Sequence, residues 1–156
     1  MPITTTAIGF LLCSAGFAFC GIRFFKAFHK IGGARSGSRI GGLLAALFFS
    51  FTLELSTLGL GVLFFVGKPE MYYALIITHI FSTLIAVLGI YLVFYIIFPS
   101  VSPWPATLAT LVLGLTVVAL TTISHPRPFI DVSGGVDWNM SQLLANSLCF
   151  LVFVNI

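Results

Sequence analysis

The sequence MYYALIITHIFSTLIAVLGIYLVFYIIF, from Met71 to Phe98, decides the fold of this chain. It contains no Asp, Glu, Lys or Arg. A helix needs about 20 apolar residues to cross a hydrocarbon core of about 30 Å, and this stretch is longer than that. Polar and apolar residues do not alternate strictly along it, as they would in a strand of a membrane barrel. We therefore predict that it crosses a bilayer as an α-helix.

Four more apolar segments predict an all-α fold, a polytopic bundle of about five transmembrane helices in a single domain covering residues 1–156. Hydrophobic residues make up 59% of the chain and charged residues 7%, against about 25% charged residues in a typical soluble domain. The expected surroundings are the lipid bilayer, where apolar side chains can face outward. The predicted helices cover residues 6–28, 40–66, 71–98, 106–124 and 140–156.

The basic residues are concentrated around the loop after the first predicted helix. The loops after the second and fourth helices carry one basic residue each, Lys68 and Arg127. Because Lys and Arg accumulate in cytoplasmic loops, the first loop is expected in the cytoplasm and the N-terminus outside, in a membrane of the bacterial cytoplasmic type. The net charge of +3 is then a topology signal, and no nucleic-acid partner is expected. Five of the seven basic residues form this group: Arg23, Lys26, Lys30, Arg35 and Arg39.

Glu54 lies near the middle of the second predicted helix. Ionisable groups at such a depth usually face the interior of a bundle or a wet cavity. Ser50 and Thr57 share its helical face by spacing. Glu54 could therefore be a ligand-binding or proton-carrying carboxyl. It could equally be a protonated side chain that is hydrogen-bonded to its neighbours and holds helices together.

His79 is the second polar candidate within an apolar segment. Helical rise places it about 12 Å from the outer end of its helix, against about 18 Å for Glu54. Adjacent antiparallel helices pack together, so a Glu54–His79 contact, direct or through one water, is possible. The alternative is an imidazole bonded to a Ser or Thr hydroxyl. Gln142 and Asn146, four residues apart on the fifth helix, would extend this group into a polar pocket in the outer half of the bundle.

The loop of residues 125–139 is the other candidate site. His125, Asp131 and Asp137 could together bind a cation or a small ligand. The alternative is a connector in which Asp137 or Asn139 caps the fifth helix and Trp138 rests in the membrane interface. No catalytic residues or metal site are expected, and the three cysteines form no CxxC pair. The sequence identifies no cofactor, and an enzyme is not the favoured interpretation.

The layout resembles the N-terminal seven-helix membrane sensor region of bacterial histidine kinases. It shares an external N-terminus, a basic first loop, a proline break from Pro99 to Pro105 after the third helix and the external stretch GGVDWN of residues 134–139. The resemblance implies a sensor domain in signal transduction. That family has no fixed catalytic residues in its membrane part. Five helices instead of seven, with no kinase region after them, imply a fragment or a stand-alone relative.

Three functions are compatible with these features. The first is a sensor-like or receptor-like membrane domain with a small polar pocket in the outer half of the bundle. The second is an accessory subunit of a larger membrane complex, of the energy-transducing or transport kind. The third is a component of a proton-coupled transporter that uses Glu54. Association with other membrane protein chains, or self-association, is expected for each of them.

Overall fold

The computed structural model describes residues 5–30, 36–130 and 135–153. These residues form five α-helices and one antiparallel two-stranded hairpin, so the predicted all-α bundle is confirmed. The elements are α1 (Thr5–Lys30), α2 (Ser36–Phe65), α3 (Met71–Ile97), α4 (Trp104–Ser124), β1 (Phe129–Ile130), β2 (Val136–Asp137) and α5 (Gln142–Phe153).

Four helices in the described part of the chain, α1 to α4, are long and apolar enough to cross a membrane. The shortest of them, α4, has 21 residues, which at about 1.5 Å per residue span about 32 Å. The described part of α5 has 12 residues, which span about 18 Å, and ends at Phe153. Four of the five predicted crossings thus have sufficient length, and the fifth crossing stays a prediction.

Two helices begin two or more residues earlier than the sequence pattern indicated. Trp104 is the first residue of α4 and not part of the proline break. The helix can begin there because Pro105 falls in its first turn. A proline is tolerated there since the backbone N–H that it lacks would have no helical partner. Ser36 begins α2 four residues ahead of the predicted start at residue 40. The Gly and Ser residues at the start of α2 favour a loop by their intrinsic propensity. That propensity is a weak predictor, and tertiary packing often overrides it.

Successive helices pack against each other in sequence order. α2 lies between α1 and α3, α3 also packs on α4, and α5 packs on α4 and touches α3. The turn between α2 and α3, the end of α4 and the β1–β2 hairpin therefore lie at one end of the bundle, called here the hairpin end. The opposite end carries Arg23, Lys26, Lys30 and Arg39, all exposed, and is called here the basic end.

Small residues bring α1 close to α2. The buried residues of α1 are Ala7, Ser14 and Gly21, which recur every seven residues. A seven-residue repeat keeps one seam of a helix facing its neighbour, and small residues let two backbones approach closely. The Ser14 hydroxyl donates to the backbone oxygen of Thr52 at 3.0 Å and lies 2.6 Å from the Ser56 hydroxyl oxygen. Hydrogen bonds as well as close packing therefore join these two helices.

Glycines on two faces of α2 allow it to fit between α1 and α3. A Cβ atom at Gly59 would lie 3.0 Å from Leu11 of α1. A Cβ atom at Gly61 would lie 2.8 Å from the Cβ of Ala74 in α3. Ala74 cannot turn its Cβ away without moving its backbone. The α2–α3 contact near the hairpin end is therefore fixed in its separation.

The connection between α4 and α5 folds across the hairpin end of the bundle. We call its described residues, 125–130 and 135–141, the capping loop. The backbone N–H of Gly67, which has a positive φ of 77°, donates to the Pro128 oxygen at 3.0 Å. Val136 and Trp138 pack against a buried cluster at this end, so the loop is part of the tertiary structure. The cluster consists of Ala7, Val62, Met71, Ala74 and Leu75.

We predict that Gly61→Ala destabilises the bundle by about 1–3 kcal/mol, because the added methyl group overpacks a contact that cannot relax. Gly16→Ala is the matched control, since no atom lies within 4 Å of a Cβ placed there. The control should be neutral or slightly stabilising, as Ala favours a helix over Gly by up to about 1 kcal/mol. Equilibrium unfolding in mixed micelles with increasing SDS, followed by circular dichroism, measures both variants. Equal stability of the two would contradict the close α2–α3 contact.

Candidate functional site

A cavity of about 190 Å³ lies toward the hairpin end, between α2, α3, α5 and the capping loop. We call it the Glu54–His79 cavity. Its walls combine a few polar groups with apolar side chains, which is the composition typical of small-molecule sites. The lining residues are Glu54, Leu58, Leu75, Thr78, His79, Ser82, Trp138, Met140 and Leu148.

Glu54 joins α2 to α3 across this cavity. The Ser82 hydroxyl donates a hydrogen bond to Oε1 of Glu54. Ser82 follows His79 by three residues, so the two side chains share one face of α3. Glu54 and His79 therefore line the same cavity, yet the hydrogen-bond partner of the carboxyl is the serine. A direct Glu54–His79 hydrogen bond was one of the two possibilities, and it is wrong because neither ring nitrogen of His79 has a hydrogen-bond partner.

His79 is buried, with only 5% of its surface exposed. Both ring nitrogens, Nδ1 and Nε2, lack a hydrogen-bond partner. The alternative expectation, an imidazole bonded to a Ser or Thr hydroxyl, is also wrong. The neighbouring hydroxyls of Thr78 and Thr83 donate to backbone oxygens of α3, those of Ala74 and His79, at 2.8 Å each. A contact through one water stays a prediction.

The unpartnered imidazole carries an energetic cost. A buried polar group without a partner costs about 1–3 kcal/mol. A neutral imidazole has one donor and one acceptor, and neither is used here. Most buried polar groups in proteins do have a partner, so such an exception calls for a specific explanation. A ligand that forms a hydrogen bond with the imidazole would provide that explanation.

Ser50 and Thr57, which share the helical face of Glu54 by spacing, do not line the cavity. The Ser50 hydroxyl donates to the Ala46 oxygen of its own helix at 2.9 Å, and Ser50 does not line the cavity. Serine hydroxyls in helices often donate to the backbone oxygen four residues earlier in this way. Thr57 lines a different groove, next to Gly61 and Tyr73. From this stretch of α2, only Glu54 supplies a polar side chain to the cavity wall.

Gln142 and Asn146 do not join the cavity, which corrects the predicted polar cluster. Both are exposed, and they contact each other, with Gln142 Nε2 donating to Asn146 Oδ1 at 3.4 Å. The face of α5 that packs inward carries Leu144, which is fully buried, and Leu148. A step of two residues rotates a helix by about 200°, so the two amides point away from that face.

His125 and Asp137, two of the three candidate residues of the loop, have separate contacts. His125 is exposed, in a left-handed conformation, and its ring lies 4.6 Å from that of Tyr72. Asp137 Oδ1 accepts from the Asn139 backbone N–H at 2.9 Å. Asp131 lies outside the described residues. Among the residues that are described, no three His, Cys, Asp or Glu side chains could hold one metal ion.

The helix cap differs from expectation, and Trp138 makes contacts that the sequence did not predict. Ser141, not Asp137 or Asn139, caps α5, since its hydroxyl accepts from the Leu144 N–H at 3.3 Å. Trp138 is half-buried against the core and lines the cavity, so it is a wall residue as well as a loop residue. Sequence reasoning missed Trp138 and Met140 as lining residues. Only the chain's path through the capping loop brings them to the cavity, and no local pattern encodes that path.

The fold and the cavity define a class of protein. It is a helical bundle that is an integral membrane protein, with one carboxyl and one imidazole on the wall of a small, open cavity. The chain matches no protein-family model, no curated protein and no solved structure.

We predict that His79→Leu stabilises the ligand-free protein by about 1–2 kcal/mol, because it removes a buried group with no hydrogen-bond partner and keeps the site filled. His125→Leu, which removes an exposed imidazole, should leave stability nearly unchanged. Both are measured by unfolding in SDS-containing mixed micelles. A loss of stability in His79→Leu would show that the imidazole has a structural partner.

Proposed function

We propose that this chain is a receptor-like integral membrane domain that binds a small polar ligand in the Glu54–His79 cavity. The observation that carries the proposal is the buried His79, with two unpartnered ring nitrogens beside a carboxyl. A ligand that completes these hydrogen bonds would remove an existing cost, so its binding would gain more than at an already satisfied site.

The cavity volume limits the ligand to a small molecule. Sites for drug-sized ligands have volumes of about 300–1,000 Å³. At about 190 Å³, the Glu54–His79 cavity is below that range. Leu58, Leu75 and Leu148 form its apolar part. A compact molecule with one polar end and a short apolar part fits this combination.

The ligand would enter from outside the cell if the charge pattern sets the orientation. The cavity lies toward the hairpin end, and the exposed basic residues lie at the opposite end. By the positive-inside rule the basic end faces the cytoplasm. The capping loop, which supplies Trp138 to the cavity, then lies on the outer side.

Ligand binding can influence the helices because the cavity joins several of them. Glu54 of α2 is bonded to Ser82 of α3, and α2 is bonded to α1 through Ser14 and Ser56. A ligand that competes for the Glu54 carboxyl changes the α2–α3 joint. Binding shifts a conformational equilibrium only by the difference in affinity for its two states, and this joint offers such a difference.

A ligand screen tests the proposal on the purified chain in lipid nanodiscs. Thermal unfolding is recorded with small amines, alcohols, amides and carboxylates for the wild type and for His79→Leu. We expect at least one compound to stabilise the wild type, by up to about 2.7 kcal/mol at a concentration of 100 Kd, and to leave His79→Leu unshifted. Equal shifts in both proteins, or none in either, would contradict a ligand site at His79.

The orientation is tested separately by cysteine labelling in intact cells. The background has Cys13, Cys20 and Cys149 replaced by Ala, and one cysteine is introduced at Ser124 or at Ser100. Both positions are exposed, Ser124 at the hairpin end and Ser100 in the α3–α4 connection at the basic end. A membrane-impermeant maleimide should label Ser124→Cys in intact cells and Ser100→Cys only after lysis. The reverse pattern would place the cavity toward the cytoplasm.

A further inference from the structure

We infer that the ligand of the Glu54–His79 cavity is a small primary amine, bound in its ammonium form. This inference rests on the proposed function and names the chemical class of the ligand. It follows from the hydrogen-bonding groups, the charge and the wall composition of the cavity.

The polar groups on the cavity wall are mainly acceptors. Ser82 donates its only hydroxyl proton to Glu54, and Thr78 donates its own to the Ala74 backbone oxygen. Both hydroxyl oxygens keep acceptor capacity, and a carboxylate has about four acceptor positions, of which Ser82 uses one. The neutral His79 ring adds one acceptor and one donor. An ammonium group, with three donors and no acceptor, complements the acceptors of this set and would bond to one of the two His79 ring nitrogens.

The charge of the cavity favours a cation. Among the described residues that line the cavity, Glu54 alone has a carboxyl group, and none is a Lys or an Arg. Of the basic residues at the hairpin end, Lys68 bonds to the Phe64 backbone oxygen at 3.0 Å and Arg127 is exposed. An anionic ligand would place a second negative charge beside the carboxyl without a counter-ion, which is costly at low dielectric. An ammonium ion instead neutralises Glu54.

The remaining walls suit an alkylammonium ion. Trp138 lines the cavity, and indole is the aromatic ring that attracts cations best. Met140 and the three leucines provide an apolar surface for a short alkyl chain. A primary alkylamine is protonated at neutral pH, as the lysine side chain is. Propylammonium matches both the small volume and this division into a charged head and an apolar tail.

Trp138 itself provides the signal for the test. The chain has two tryptophans, and Trp104 is exposed at the basic end, so Trp104→Phe leaves Trp138 as the single tryptophan, which can be excited apart from the tyrosines. The purified single-tryptophan chain in nanodiscs is titrated with propylammonium, 1-propanol and propionate at the same pH and ionic strength. The three probes share size and shape and differ in charge and donors. We expect a saturable change with propylammonium, an apparent Kd at least tenfold weaker for 1-propanol, and no saturation with propionate.

Variants then locate the binding. Glu54→Gln keeps an acceptor for Ser82 and removes the charge, so propylammonium binding should weaken at least tenfold. His79→Leu should weaken it as well, which provides a second variant if the first does not fold. Glu70→Gln removes an exposed charge at the same end, outside the cavity wall, and should bind as the parent does.

Other outcomes overturn the inference. Tighter or equal binding of 1-propanol or propionate would show that the site takes another ligand class, while the receptor-like proposal would stand. Absence of saturation with all three probes would reject an amine ligand, and the broader thermal screen then decides the proposed function. Unchanged propylammonium binding in Glu54→Gln would place the amine elsewhere.

Discussion

The absence of water from a hydrocarbon core constrains every polar group in this bundle, because each one must find its partner within the protein. The threonines of α3 and α4 show the usual solution. The hydroxyls of Thr78, Thr110 and Thr121 each donate to a backbone oxygen four residues earlier in the same helix. Ser14 bonds instead across to α2. The His79 ring makes neither kind of hydrogen bond. A hydrogen bond from a ligand would therefore contribute more free energy at His79 than at these hydroxyls, which already have partners.

Because solvent is absent, close packing holds the helices together. The packing of α2 on α3 also determines which residues line the cavity. The contact between Gly61 and Ala74 fixes the register of α2 against α3. Along these antiparallel helices, Glu54 lies seven residues from Gly61, or about 10 Å, and Ser82 lies eight residues from Ala74, or about 12 Å. His79 is only about 7.5 Å from Ala74. This register accounts for the bond of the carboxyl to Ser82.

The sequence predicts those features that depend on composition along one helix. The apolar runs fix the existence of α1 to α4, and the burial cost of ionisable groups points to Glu54 and His79. Features that depend on tertiary contacts were missed or misplaced. The side of α5 that faces inward is set by Leu144 and Leu148, so the amides of the same helix were assigned to the wrong face. Trp138 reaches the cavity only through the path of the capping loop.

The path of the capping loop connects the cavity to the rest of the bundle. Trp138 lines the cavity and also packs against the cluster that joins α1, α2 and α3 near the hairpin end. A ligand in the cavity therefore contacts a side chain that three helices hold in place. The Glu54–Ser82 bond lies on the part of the wall that α2 and α3 form. Because one ligand would touch both, its binding energy would act on the α2–α3 joint and on the capping loop together, which is what a receptor-like domain requires.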